Sequence, residues 1–204
     1  KEGSIVEGAQ SGLDLELYYV KVKSANPNAL GDANVETYRT ALVGKYYQGK
    51  TSGVVGKVII TSAETTDDAL TVFVKYATQG TNDRNSATFL ATEELQEVLL
   101  GADGAASVVT ANLNELEVKA KTDADHPSGL ASMAAIKEGI VFVRGFYVKL
   151  PAQELLLEKY NGKPSYRIGL TITESLVGSA ADISLLDNST GTSNENSTGA
   201  DRLK

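Results

Sequence analysis

His126 is the chain's single histidine, and it stands in "DADHPSG" between Asp123, Asp125 and Pro127. An imidazole between two carboxylates is a fragment of a metal-ligand set, and the same residue would be the base of any Ser-His-Asp triad here. Neither chemistry gathers further support. There is no second histidine, and the G-x-S-x-G pattern of a nucleophile elbow does not occur. The reading that requires least is a loop histidine among turn-forming aspartates.

Paired carboxylates are the other route to chemistry, since two acids across a cleft can hydrolyse a glycoside. Asp67-Asp68 and Glu93-Glu94 are the candidates. Adjacent acids on a strand point to opposite faces, and on a turn both are commonly solvated. "NDRN" and "DNST" are oxygen-rich, but neither follows the twelve-residue calcium-loop spacing. Neither G-x-x-x-x-G-K-[ST] nor G-x-G-x-x-G is present, and "GKYYQGKTSG" has glycines and lysines at the wrong spacing for a phosphate cradle. Asn188 and Asn196 each open an Asn-Ser-Thr glycosylation pattern, which matters only in a secretory setting. The absence of cysteine removes disulfides, zinc-thiolate sites and thiol nucleophiles. No catalytic residue, metal site or cofactor site is assigned.

Nine tyrosines carry more information. Tyr18-Tyr19 and Tyr46-Tyr47 are adjacent pairs, so on a strand one member of each must face outward. Exposed tyrosine offers large area with few rotors, which suits protein interfaces and sugar stacking. The alternative is that these rings close the rim of the core. Tyr18, Tyr19, Tyr46, Tyr47 and Tyr147 are the candidate interface residues.

The elements that would carry these residues are strands. With 204 residues, 42% of them hydrophobic, the chain can bury a sizeable core. "LDLELYYVKVK" alternates with period two and changes phase near Tyr18-Tyr19, where a bulge is expected. Gly53–Thr61 and Ala69–Ala77 form an antiparallel pair across "SAETTDD". "ATFLATEELQEVLLG" fits a short helix capped by Thr92 or a strand, and its surroundings favour the strand. "AASVVTANLNELEVKAK" holds one or two further strands. Ile140–Val143 and Phe146–Leu150 flank a two-residue turn at Arg144-Gly145, and "AQELLLEKY" and "SYRIGLTITES" flank a longer one at Asn161-Gly162-Lys163-Pro164. "KEGSIVEG" at Lys1 echoes "KEGIVFVRG" at Lys137, a match short enough for chance.

The expected fold is therefore mainly β: antiparallel hairpins and meanders forming a sandwich or a barrel-like domain, with little helix. The expected organisation is a β-rich region over 1–121, a loop over 122–132 as a subdomain boundary, a meander over 133–177, and an irregular connector or arm over 178–204. A turn of helix is expected at Asp182–Leu186. The formal net charge of −7 is dispersed, which serves solubility and argues against nucleic-acid binding. No apolar run approaches the ~20 residues of a membrane helix, and "KEGSIVEGAQ" has no signal-peptide core. Both ends read as cuts within a longer polypeptide.

Three segments, "KEGSIVEG", "EGIVFVRGFYVKLPAQELLLEKYNGKPSYRIGLTITESLV" and "LLDNSTGTSNENSTGADRLK", resemble a domain of unknown function found near the amino end of large virion structural proteins of contractile-tailed phages, marine cyanophages especially. The resemblance spans nearly the whole chain and is densest from Glu138 to Lys204. It implies a tail, baseplate or fibre component rather than an enzyme, assembled in the host cytoplasm and carried in the virion. The implied partners are other tail or baseplate proteins and further copies of the chain, with neither nucleic acid nor membrane insertion involved. A host-surface glycan is the alternative partner. The resemblance carries over no catalytic residue.

Overall fold

In the computed structural model the described residues are 5–8, 11–78, 87–110, 113–122, 125–182, 185 and 202–203. The strands in chain order are β1 (Ile5–Gly8), β2 (Ser11–Lys21), β3 (Tyr46–Gly49), β4 (Val55–Ser62), β5 (Thr71–Thr78), β6 (Glu94–Leu100), β7 (Ala106–Val108), β8 (Leu116–Glu117), β9 (Ser128–Ile136), β10 (Gly139–Val143), β11 (Phe146–Leu150), β12 (Gln153–Glu158), β13 (Leu176–Val177) and β14 (Arg202–Leu203). One helical turn, α1 (Val35–Tyr38), continues into a 3-10 turn at Arg39–Leu42. The protein is mainly β and antiparallel, as the alternation predicts.

The large sheet runs β12-β9-β2-β5-β4-β3-β6-β7, and β8 also pairs with β6. It curls until β8 comes back against the end of β2. Val118, just after β8, bridges Val22, just after β2. Lys23 N–H donates to the Glu117 carbonyl and Lys119 N–H to the Lys21 carbonyl, both at 2.9 Å. The ring β2-β5-β4-β3-β6-β8 is thereby closed, which leaves none of its members with an open edge along that stretch. β2 is long enough to serve twice: beyond the ring it pairs with β9 along most of its length.

Alternation sorts the side chains into two layers. Val20 of β2 and Val22 just after it, Val72 and Val74 of β5, Val58 of β4, Tyr47 of β3 and Leu95 of β6 fill the barrel interior. α1 closes it with Val35 and Tyr38, and the 3-10 turn adds Leu42. So short a helix forms because Asn34 caps it, its side chain accepting from Glu36 N–H at 2.9 Å. On the opposite face, Leu17 of β2 and Phe73 of β5 cluster with Ala131 and Met133 of β9, and Ile59, Ile60 and Leu156 pack on them. Ile59 and Ile60 share this face because the pairing of β4 with β5 slips between Val58 and Ile60.

Three expectations differ from what is found. The irregularity in β2 falls between Asp14 and Leu17, while Tyr18 and Tyr19 pair in register with Val74 and Phe73. "SYRIGLTITES" does not return as a strand beside β12. Asn161 folds back through its side chain to accept from Lys163 N–H at 2.9 Å, and Pro164 has no N–H to begin a ladder. Residues 165–176 are all exposed. The boundary expected at 122–132 instead leads into β9, which is hydrogen-bonded to β2 from Ser128 onward.

The chain divides into a unit of residues 1–166 and a unit of residues 167–204. In the second, β13 pairs with β14 through Leu176–Leu203 and Val177–Arg202. A turn there closes on the Gly178 carbonyl, which accepts from Ala181 and Asp182 N–H. The "NDRN" motif, Asp123, both Asn-Ser-Thr sites, part of the expected Asp182–Leu186 turn and most of the 178–204 segment lie outside the described residues.

A separate three-stranded sheet, β1-β10-β11, belongs to the first unit. The two echoing segments meet in it, since β1 pairs antiparallel with β10 (Ile5 with Val141, Gly8 with Gly139). The β10–β11 turn takes the form expected for Arg144-Gly145. Both residues have positive φ, 46° and 89°, and Val143 pairs with Phe146 across the two-residue loop.

Candidate interaction surface

Of the residues singled out for chemistry, Asp68, Glu93 and Glu94 are held in contacts within the chain, whereas Asp67 and His126 are exposed. Glu93 is buried and accepts three hydrogen bonds, from Ser52 N–H and Ser52 Oγ at 3.0 Å each and from Leu90 N–H at 2.6 Å. Glu94, one residue on, faces outward and pairs with Lys50 at 2.9 Å. The two carboxylates therefore face no common cleft. Burial lowers the Lys50 pKa, but the hydrogen bonds to Glu115 and Glu94 outweigh it, so the ammonium is held above its ordinary range.

Asp68 belongs to a different cluster. Its carboxylate accepts from the Lys159 ammonium at 2.8 Å and from the Tyr160 hydroxyl. Lys159 also reaches Ser62 Oγ at 2.7 Å. Lys21 lies over the Tyr160 ring, 4.7 Å from its centroid, and pairs with Asp125. Burial first, and then donation to Asp68, raise the Tyr160 hydroxyl to about 12. His126 is exposed beside this cluster, in the loop that Asp125 anchors. Among the described residues, no group of three or more His, Asp or Glu side chains could hold a metal ion. No helix among them is long and apolar enough to cross a membrane.

The tyrosine pairs separate as alternation requires. Tyr18 lies on the barrel side, its ring edge-on to Tyr76 at 5.0 Å. Tyr19 lies on the other face, edge-on to Tyr160 at 4.8 Å. It crosses over Gly129, where an added Cβ would sit 2.7 Å from the ring. Tyr47 is 0% exposed and donates to the Asn114 carbonyl at 3.1 Å, so its contacts are internal. Burial, then the nearby Glu97, Tyr38 and Glu115, push its hydroxyl far above the ordinary range. Tyr46 is half-buried under the Lys57 ammonium, 5.6 Å from its centroid.

Tyr147 is the one candidate fully presented to solvent, at 72% exposure. It stands on β11 against the Phe142 ring, 5.5 Å away, and Phe146 and Val148 on either side are also exposed. Sequence reasoning named Tyr147 and missed Phe146 and Val148. The available signal was the run "FYVKL", which is apolar on both faces of a strand and so cannot be wholly buried by a neighbour on one side. Leu155 on β12 is exposed as well.

No protein-family model, curated protein or solved structure matches the chain.

Proposed function

We propose that this chain is a structural, non-enzymatic module of a tailed-phage virion protein, one that makes assembly contacts in a tail, baseplate or fibre. The observation that carries the reading is the contrast between the two kinds of surface residue. The charged groups of the two clusters are paired with one another, while Phe146, Tyr147 and Val148 are exposed in succession on alternate faces of β11. Large apolar side chains left outward in a run mark a surface meant to be covered. The resemblance of residues 138–204 to virion structural proteins supplies the setting: assembly in a host cytoplasm, incorporation into the virion, and partners drawn from other tail proteins and further copies of the chain.

A second reading is favoured by one observation. The Tyr147 ring, exposed beside Phe142, is also a platform on which a sugar ring of the host surface could stack. Light scattering on the full chain, together with a glycan array, separates the two. The assembly reading expects a defined multimer and no glycan selectivity. A monomer with glycan binding that Tyr147→Ala removes would overturn it.

A further inference from the structure

Strand β11 ends its sheet: it pairs with β10 on one side and, among the described residues, with no strand on the other. Natural edge strands are blunted by proline, by charged side chains, lysine especially, or by a bulge. β11 reads Phe-Tyr-Val-Lys-Leu, so it carries one such charge, Lys149; it pairs in unbroken register with β10 and meets its proline only after the strand, at Pro151.

The hairpin fixes which backbone groups face outward. A two-residue turn joins Val143 and Phe146 as a hydrogen-bonded pair. Hydrogen-bonded and non-hydrogen-bonded pairs then alternate. Val141–Val148 and Gly139–Leu150 are therefore bonded, so Tyr147 and Lys149 turn their N–H and C=O groups away from β10, along the open edge.

We infer that this edge pairs with the same edge of a second copy, antiparallel, about a twofold axis through Val148. The inference rests on the assembly reading above and gives it a specific contact. The second copy is the occupant because the strand is complementary to itself in this register and in its charges. Tyr147 meets Lys149 of the other copy twice, so each ammonium lies beside an aromatic ring and neither faces its own kind directly. The same two pairs supply four backbone hydrogen bonds. Phe146 meets Leu150 twice, and Val148 meets its own counterpart. One face of the joined sheet would then run Val141, Val148, Val148, Val141 without a polar break. The contact is isologous, so it closes at two copies rather than growing into a fibre.

The chain has no cysteine, so Val148→Cys gives it a single thiol at the proposed axis. A non-hydrogen-bonded antiparallel pair brings the two Cα atoms to about 4.5 Å, within disulfide reach. Mild oxidation of the full-length variant is expected to yield a covalent dimer on a non-reducing gel. Tyr147→Pro removes an N–H that faces the open edge and leaves the β10 ladder intact. It is expected to weaken dimerisation about tenfold or more, equivalent to about 1.4 kcal/mol, with an unchanged circular dichroism spectrum. A multimer that does not cross-link through the introduced thiol and survives Tyr147→Pro would overturn the β11 contact and leave the assembly reading standing. A chain that stays monomeric at every concentration and does not cross-link would overturn both.

Discussion

The ammonium of Lys159 lies 2.8 Å from the Asp68 carboxylate, and this contact ties the end of β12 to the loop between β4 and β5. β12 is the outermost strand of the large sheet, and among the described strands it is hydrogen-bonded to β9 alone. The Lys159–Asp68–Tyr160 cluster gives it a second attachment, on the far side of β2 and β5.

That attachment depends on pH. Burial raises the Asp68 pKa, but the hydrogen bonds from Lys159 and Tyr160 outweigh it and hold the carboxyl below its ordinary range. A carboxyl depressed in the folded state stabilises fully above its unfolded pKa, and the contribution is lost as pH falls through the folded value. Asp68→Asn should cost about 1 kcal/mol at neutral pH, and the difference from the parent should vanish in acid. Urea unfolding at a series of pH values reads both.

Glu93 should be the least replaceable of the acids. Removing its carboxylate with Glu93→Ala strands two backbone N–H groups and the Ser52 hydroxyl in a buried site, at a cost of about 3 kcal/mol. Gly49→Ala should be damaging at the same place, because its Cβ would sit 2.5 Å from Ser52 Oγ and crowd the carboxylate. Chemical denaturation of each variant checks this.

Tyr46 and Tyr47 should behave as opposites. Tyr47→Ala empties part of the barrel interior and should cost about 3–5 kcal/mol, enough to unfold a marginal domain. Tyr46→Ala removes a half-exposed ring and one cation–π contact, at about 0.5 kcal/mol. Thermal melts distinguish them. A binding experiment that mutates both together would therefore report unfolding, and Tyr46 and Tyr147 are the positions to use.

Thr92 has φ of +63°, a left-handed conformation that a β-branched residue adopts at a cost. The position follows from Glu93, which must turn inward while Glu94 begins β6. Thr92→Gly should raise stability by about 1 kcal/mol, seen as a higher melting temperature.

The strands were legible where period two runs clean. The 55–62 and 71–78 pair and the Arg144-Gly145 hairpin lie where alternation and turn chemistry place them. The closure of the barrel was not legible, because it rests on a single bridge between Val22 and Val118, and one residue pair leaves no periodic trace. Nor was the fate of residues 165–176. Their alternation is that of a strand, but pairing needs a partner edge, and local pattern cannot supply one. The tyrosine pairs announced that one member of each faces outward without saying which. That choice is made by the barrel interior, which takes Tyr18 and Tyr47. The edge at β11 was half legible: Tyr147 stood out as one of the tyrosines, whereas the exposure of Phe146 and Val148 follows only from β11 being the last strand of its sheet.

The mass of the intact full-length chain in solution, followed by light scattering across a concentration series, tests the central claim most directly. An outward-facing edge built for association predicts a mass of two chains or a defined multiple, falling toward one chain on dilution. A single-chain mass at every concentration would contradict it.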